Sequence, residues 1–257
     1  MRIARICNEW DLNFNIKLKD EEDKNLYNRS YIHYATSRPD LVACKAYATK
    51  WLLKDIIDED REYSVLEFMS GIGIQTLIIQ KIFKVKTHIV NELDRSCVDH
   101  LSTSNFPSNV TVICSNANDL YNTHSDLKFM DFPNSSIIRT TREWKTIFDG
   151  AFSTKPKLVV WTDTSISYSM KIHGKKYGKI FDCEVNNTDD YIKGYSDWLY
   201  MNFGYSIIKA AFRHRNAVYF AAIVGKHETE TEYFKLGSSY DGFYFLDDKR
   251  ATLEKFM

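Results

Sequence analysis

Val65-Leu66-Glu67-Phe68-Met69-Ser70-Gly71-Ile72-Gly73-Ile74 is the stretch on which the fold turns. Residues 65–69 form an apolar run of strand length. It breaks at Ser70-Gly71-Ile72-Gly73 and passes into an apolar stretch of helical spacing over 74–83. Gly71 and Gly73 can take backbone angles closed to other residues, and their missing side chains let a ligand lie against the chain. The helix that follows points its N–H groups and partial positive charge at whatever binds there. In open α/β sheets, ligands settle at the carboxyl ends of strands where the strand order reverses. A lone GxG is also what any tight strand–helix turn needs, so its surroundings decide between the two readings.

Working outward, short apolar runs alternate with helical stretches. Residues 65–69, 87–93, 110–115, 127–132 and 157–162 read as buried strands, and 74–83, 97–104 and 141–152 as helices. Such alternation means βαβ units and a parallel sheet with helices on both faces. After a further helix over 189–203, the runs 205–212 and 218–224 are separated only by a polar turn containing Arg213-His214-Arg215-Asn216. That spacing has no room for a crossover helix, so this pair is expected to be an antiparallel hairpin. The expected fold is therefore α/β: a Rossmann-like, doubly wound, seven-stranded, mostly parallel sheet closed by a C-terminal antiparallel hairpin.

Upstream, Val42, Ala46, Trp51, Leu52 and Ile56 recur at helical spacing after Ser37-Arg38-Pro39. Residues 1–62 are read as a mostly helical extension packed on the core, 63–226 as the Rossmann-like domain, and 227–257 as a tail with no clear element.

Composition bounds the function. In 257 residues, 34 Lys+Arg balance 34 Asp+Glu, so nucleic-acid binding would need a local patch instead of a basic domain. With 44% hydrophobic and 26% charged residues the chain is globular, not disordered. The 5 cysteines are scattered singly, without a CxxC pair, which fits reduced thiols in a cytoplasmic protein and speaks against a zinc ribbon. The 7 histidines show no HxH or HExxH pairing, so no metal is expected. No run reaches membrane-span length, and the first residues lack an apolar signal core.

The pattern resembles class I S-adenosylmethionine (SAM) dependent methyltransferases over about residues 64–225. The nearest flavour is the group of RNA and DNA base methyltransferases with a DPPY-like motif. Leu66-Glu67 through Gly71-Ile72-Gly73 matches the first motif, and Glu92 in Val90-Asn91-Glu92-Leu93-Asp94 ends the second strand. Asn116-Ala117 stands where that group has Asp-Ala, and Asp131-Phe132-Pro133-Asn134 where it has DPPY.

The resemblance implies S-adenosyl-L-methionine as cofactor. Glu92 would accept the ribose hydroxyls, with Asp94 as fallback, and Glu67 would hold the methionine ammonium directly or through water. Gly71 and Gly73 would line the cleft. Asn116 would meet the adenine amino group through its carbonyl, with Asp119 as the weaker choice. Asp131, Phe132 and Pro133 are the catalytic candidates, Asp131 accepting hydrogens from an exocyclic amine. For Phe132 and Trp161, core packing is favoured over base stacking. Cys183 lacks the setting of a thiolate nucleophile and reads as a bystander.

The segment 165–181 is long for a connection and carries Lys171, Lys175, Lys176 and Lys179 among Tyr168, Tyr177 and Phe181. With Arg139 and Arg142 it forms an expected phosphate-binding patch whose aromatics stack bases; a solvated lysine-rich loop is the plainer reading. The leading expectation is methyl transfer to a nucleic acid. The altered motifs keep open a catalytically degenerate binding subunit with a protein partner, and a small-molecule methyltransferase stays as the third reading.

Overall fold

A computed structural model describes residues 49–50, 52–53, 56–131, 141–163, 175, 177–186, 188–213, 220–226 and 232–236. Most of the expected N-terminal helix lies outside these residues, although 49–50 and 52–53 are helical.

The alternating runs form the expected units: β1 (Tyr63–Phe68), α1 (Ile74–Ile82), β2 (Val85–Glu92), α2 (Arg95–Thr103), β3 (Val110–Cys114), a 3₁₀ turn at Ala117–Leu120, β4 (Leu127–Asp131), α3 (Thr141–Phe152), β5 (Leu158–Asp163), α4 (Thr188–Phe203), β6 (Tyr205–Arg213), β7 (Phe220–Lys226) and β8 (Glu232–Leu236). The strands build one sheet in the order β3-β2-β1-β4-β5-β7-β6-β8. From β3 to β5 every neighbouring pair is parallel. The chain steps outward from β1 to β2 and β3, then returns to β4 on the other flank of β1. The order therefore reverses at β1 and β4, the geometry that opens a crevice at their carboxyl ends.

β7 inserts between β5 and β6 and runs antiparallel to both. The turn joining β6 to β7 lies outside the described residues. Among the described residues the sheet has eight strands, not the expected seven, because β8 pairs in parallel with β6. Glu232-Tyr233-Phe234-Lys235-Leu236 has no alternation long enough to announce a strand; the open edge of β6 supplies its hydrogen-bonding partner.

Successive side chains of β1 point to opposite faces. Leu66 and Phe68 join the cluster that Phe148 of α3 and Tyr191, Tyr195 and Trp198 of α4 build around Trp161. Here Phe148 meets Trp161 edge-on at 5.7 Å, and Phe181 stacks on Tyr195 at 5.0 Å. Glu67 turns to the opposite face, where Thr76 of α1 covers it. Helices thus cover both faces, as a parallel sheet requires.

The segment expected as a loop over 165–181 is helical at 177–181, and Tyr177 and Phe181 are buried in the aromatic cluster. These two rings pack the core and are not free to stack on a base. Trp161 likewise packs the core, fully buried.

Candidate functional site

The tip of β1 bends as its glycines suggest. Gly71 and Gly73 sit at φ 58° and 85°, and Met69 at φ 55°. Ser70 N–H donates to Asn91 O at 3.0 Å and Gly73 N–H to Ser70 O at 3.0 Å, which ties the bend to β2 and closes it into the helix. Among the described residues no side chain caps the α1 N-terminus, and its first turn holds no acidic residue.

The bend and the end of β2 converge. Gly71 N–H donates to Glu92 Oε2 at 2.6 Å, while Glu92 Oε1 accepts from the N–H groups of Leu93 at 2.8 Å and Asp94 at 3.0 Å. A carboxylate bonded by several backbone N–H groups is held firmly in one orientation. Glu92 is 8% exposed, yet the next residue, Leu93, is 66% exposed and offers an apolar surface beside it.

Glu67 lies beneath this bend, fully buried. Its Oε2 accepts from Thr76 Oγ1 at 2.8 Å and pairs with His88 Nε2 at 3.1 Å. Gln80 Nε2 donates to His88 Nδ1 at 3.1 Å, an arrangement that leaves the ring proton on Nε2, facing the carboxylate. Among the described residues, Glu67 Oε1 and the hydroxyl of Ser70, both buried, have no hydrogen-bond partner. Orphaned buried acceptors are rare and call for an explanation.

The two glycines divide their tasks. A Cβ on Gly73 would stand 2.6 Å from Leu101 Cδ2 and 3.1 Å from Phe106 Cζ, so this glycine admits α2 and its following loop against the bend. Asn116, after β3, uses its side-chain oxygen to cap the 3₁₀ turn, accepting from Asn118 N–H at 3.0 Å. Asp131 ends β4 at the same edge of the sheet. The Asp131 side chain, Phe132 and Pro133 lie outside the described residues, as do Arg139, Lys171, Lys176 and the Arg142 side chain. Lys175 and Lys179 are exposed.

On the other face, Tyr121 meets Phe68 edge-on at 5.9 Å, and burial pushes its phenol up to about 12. Lys128, fully buried, donates to Tyr121 O and Gly150 O, both at 3.2 Å, and burial pulls its pKa down to about 8. The Cys183 thiol is raised by partial desolvation and by the carboxylates of Asp197, Asp190 and Asp182, the opposite of what a nucleophilic thiolate needs.

Ser70, Thr76 and His88 did not stand out in the sequence. A serine before a glycine and an isolated histidine carry no pattern of their own; pairing β1 with β2 is what sets Glu67 and His88 together. Among the described residues no group of three or more His, Cys, Asp and Glu is placed to hold a metal ion, and no helix is long and apolar enough to cross a membrane.

No protein-family profile and no curated protein sequence matches the chain. Solved structures do. The magnesium protoporphyrin IX methyltransferase of Synechocystis PCC 6803 with bound SAM is 11% identical with a TM-score of 0.55, over 83% of this chain and 100% of that one. A SAM-dependent methyltransferase from Clostridium acetobutylicum ATCC 824 is 11% identical with a TM-score of 0.53, over 78% and 98%. A candidate RNA methyltransferase from Pyrococcus horikoshii is 13% identical with a TM-score of 0.51, over 88% and 96%. The likeness establishes the fold: the Rossmann-like sheet of class I SAM-dependent methyltransferases.

Proposed function

We propose that the chain is a SAM-dependent methyltransferase whose cofactor lies across the tips of β1 and β2. The observation that carries this reading is the bond between Gly71 N–H and Glu92, at the strand-order reversal of a fold shared with SAM-bound proteins. The residues present fit such a group. Glu67 Oε1 is a buried acceptor with no donor among the described residues, suited to the methionine ammonium, and the start of α1, which no described side chain caps, suits the methionine carboxylate. Three N–H groups occupy Glu92, and a carboxylate has about four lone-pair sites, so one remains for a ribose hydroxyl. Leu93 offers an apolar surface beside it for a heterocycle. Asn116 can accept a second hydrogen bond, from an adenine amine, while still capping its turn.

When bound, the cofactor supplies an activated methyl group that moves to its acceptor by in-line displacement. The residues of the chain then align the acceptor and exclude water, an orientation effect of several kcal/mol. In this reading Asp131, with Phe132 and Pro133 after it, faces the acceptor, since β4 lies beside β1. A nucleic-acid acceptor is the favoured class: exposed Lys175 and Lys179 follow the carboxyl end of β5, and Lys171, Lys176, Arg139 and Arg142 would extend the patch. Placing the methyltransferase in the cytoplasm accords with cysteines scattered singly along the sequence, with no CxxC pair.

Calorimetric titration with SAM tests the cofactor, and tritium transfer from labelled SAM to RNA, DNA and small-molecule pools tests the acceptor. Binding is expected, weakened by Glu92→Gln and by Ser70→Ala; absence of heat with folded protein overturns the reading. Activity that falls steeply with salt supports a nucleic acid, and salt-insensitive activity on a neutral compound points to a small acceptor. A second reading, a degenerate subunit that binds a protein partner, is favoured by one observation: Glu92 and Asn116 already satisfy local backbone. It predicts no transfer to any pool.

A further inference from the structure

A further cavity lies well away from the cleft at the strand tips. At the amino ends of the strands, on the opposite edge of the sheet, lies a space of about 550 Å³. Its buried lining is Pro156 together with Tyr63, Leu127, Leu158 and Tyr205, these four being the first residues of β1, β4, β5 and β6. Ile56, Ile57 and Ile208, each half-buried, complete an apolar wall. β1 has six residues, so its start and tip are roughly 16 Å apart, and the two sites share no residue.

The polar side of the cavity is one-sided. Lys155 and Lys157 line it, both exposed, and the described lining holds no carboxylate. Asp126, next to Leu127 of the lining, is bound by Ser64 and Arg61. Against partial desolvation, hydrogen bonds from Ser64 and the charges of Arg61 and Lys157 hold its carboxyl low, and it pairs with Arg61 at 3.0 Å. Lys155 sits at φ 49°, past the end of α3, with its N–H on Phe152 O at 2.9 Å. Glycine is the ordinary residue in that left-handed position, and a lysine there is strained. Strain retained at a cavity rim points to use of the side chain. Pockets of this size, apolar with a few convergent charges, are typical of small-ligand sites.

We propose that this cavity is a second ligand site for a small amphipathic carboxylate, its ring or chain against the strand starts and its charge on Lys155 and Lys157. The proposal is independent of methyl transfer.

Naphthoate titrated into the full chain by calorimetry tests it, with neutral naphthamide as control. Single-site binding of naphthoate is expected, weakened roughly tenfold by the pair Lys155→Gln and Lys157→Gln, with the amide unaffected by those changes. Ile208→Trp should fill the space and abolish binding, its folding checked by thermal melting. Saturation with the demethylated cofactor product should leave naphthoate affinity unchanged. Equal affinity for acid and amide, binding that survives Ile208→Trp in folded protein, or no heat at millimolar naphthoate would overturn the proposal.

Discussion

Lys128 carries a charge into the packed layer between β4 and α3, where, among the described residues, two carbonyl oxygens and the face of Phe68, at 5.9 Å, attend its ammonium. Its folded pKa of about 8 lies below its ordinary 10.5. Between those values the unfolded chain binds more protons than the folded one, so this site makes stability rise with pH across that window. Denaturant midpoints near pH 7 and near pH 10 should show that rise in the parent and its loss in Lys128→Met, a difference on the order of 1–3 kcal/mol. Ser153 Oγ lies 2.6 Å from Tyr121 O and can donate to it, while Ser153 N–H donates to Gly150 O at 3.4 Å, so the substitution strands neither carbonyl. Parallel pH curves would show that the ammonium is not desolvated. Gly73 makes a second residue-scale prediction. At φ 85° and with Leu101 at 2.6 Å from a new Cβ, Gly73→Ala should lower stability by about 2 kcal/mol, read as a drop in Tm. An unchanged Tm would mean that α2 shifts freely.

At the scale of elements, β1, α1 and β2 act as one unit held by buried polar groups. His88 supplies the donor to Glu67, and Gln80 fixes its tautomer. Removing one partner of a buried pair costs more than the pair is worth, because the other is left uncompensated. His88→Leu should therefore destabilise by about 3 kcal/mol, and the double variant His88→Leu with Glu67→Gln should recover part of the loss in denaturant unfolding. Full additivity of the two losses would show that they do not interact. Glu92 gives a sharper contrast. Glu92→Gln keeps an acceptor for the bend, whereas Glu92→Ala strands three N–H groups, so its stability should fall by about 2–3 kcal/mol more. These elements were legible in the chain, since Gly71, Gly73 and Glu92 each end a patterned run. Their supports were not: Thr76 and His88 lie mid-element, and their polarity is meaningful only once strands pair.

For the whole molecule, the sheet depends on how its last strands are arranged. β7 seals the edge of β5, β6 seals β7, and β8 covers β6. Ending the chain after Lys226 should leave β6 with an open row of backbone groups, and light scattering should detect self-association absent from the full chain. A monodisperse truncated protein would show that β8 is dispensable. The sequence by itself determined the α/β class, the parallel run from β1 to β5 and the place of the glycine bend. Each follows from local periodicity and from connection lengths that permit or forbid a crossover. Only the tertiary structure decided the eighth strand, the burial of Tyr177 and Phe181, the network under Glu67 and the cavity at the strand starts. These join residues far apart in the chain, and a single side chain shows neither its partner nor its burial until the sheet sets its neighbours beside it.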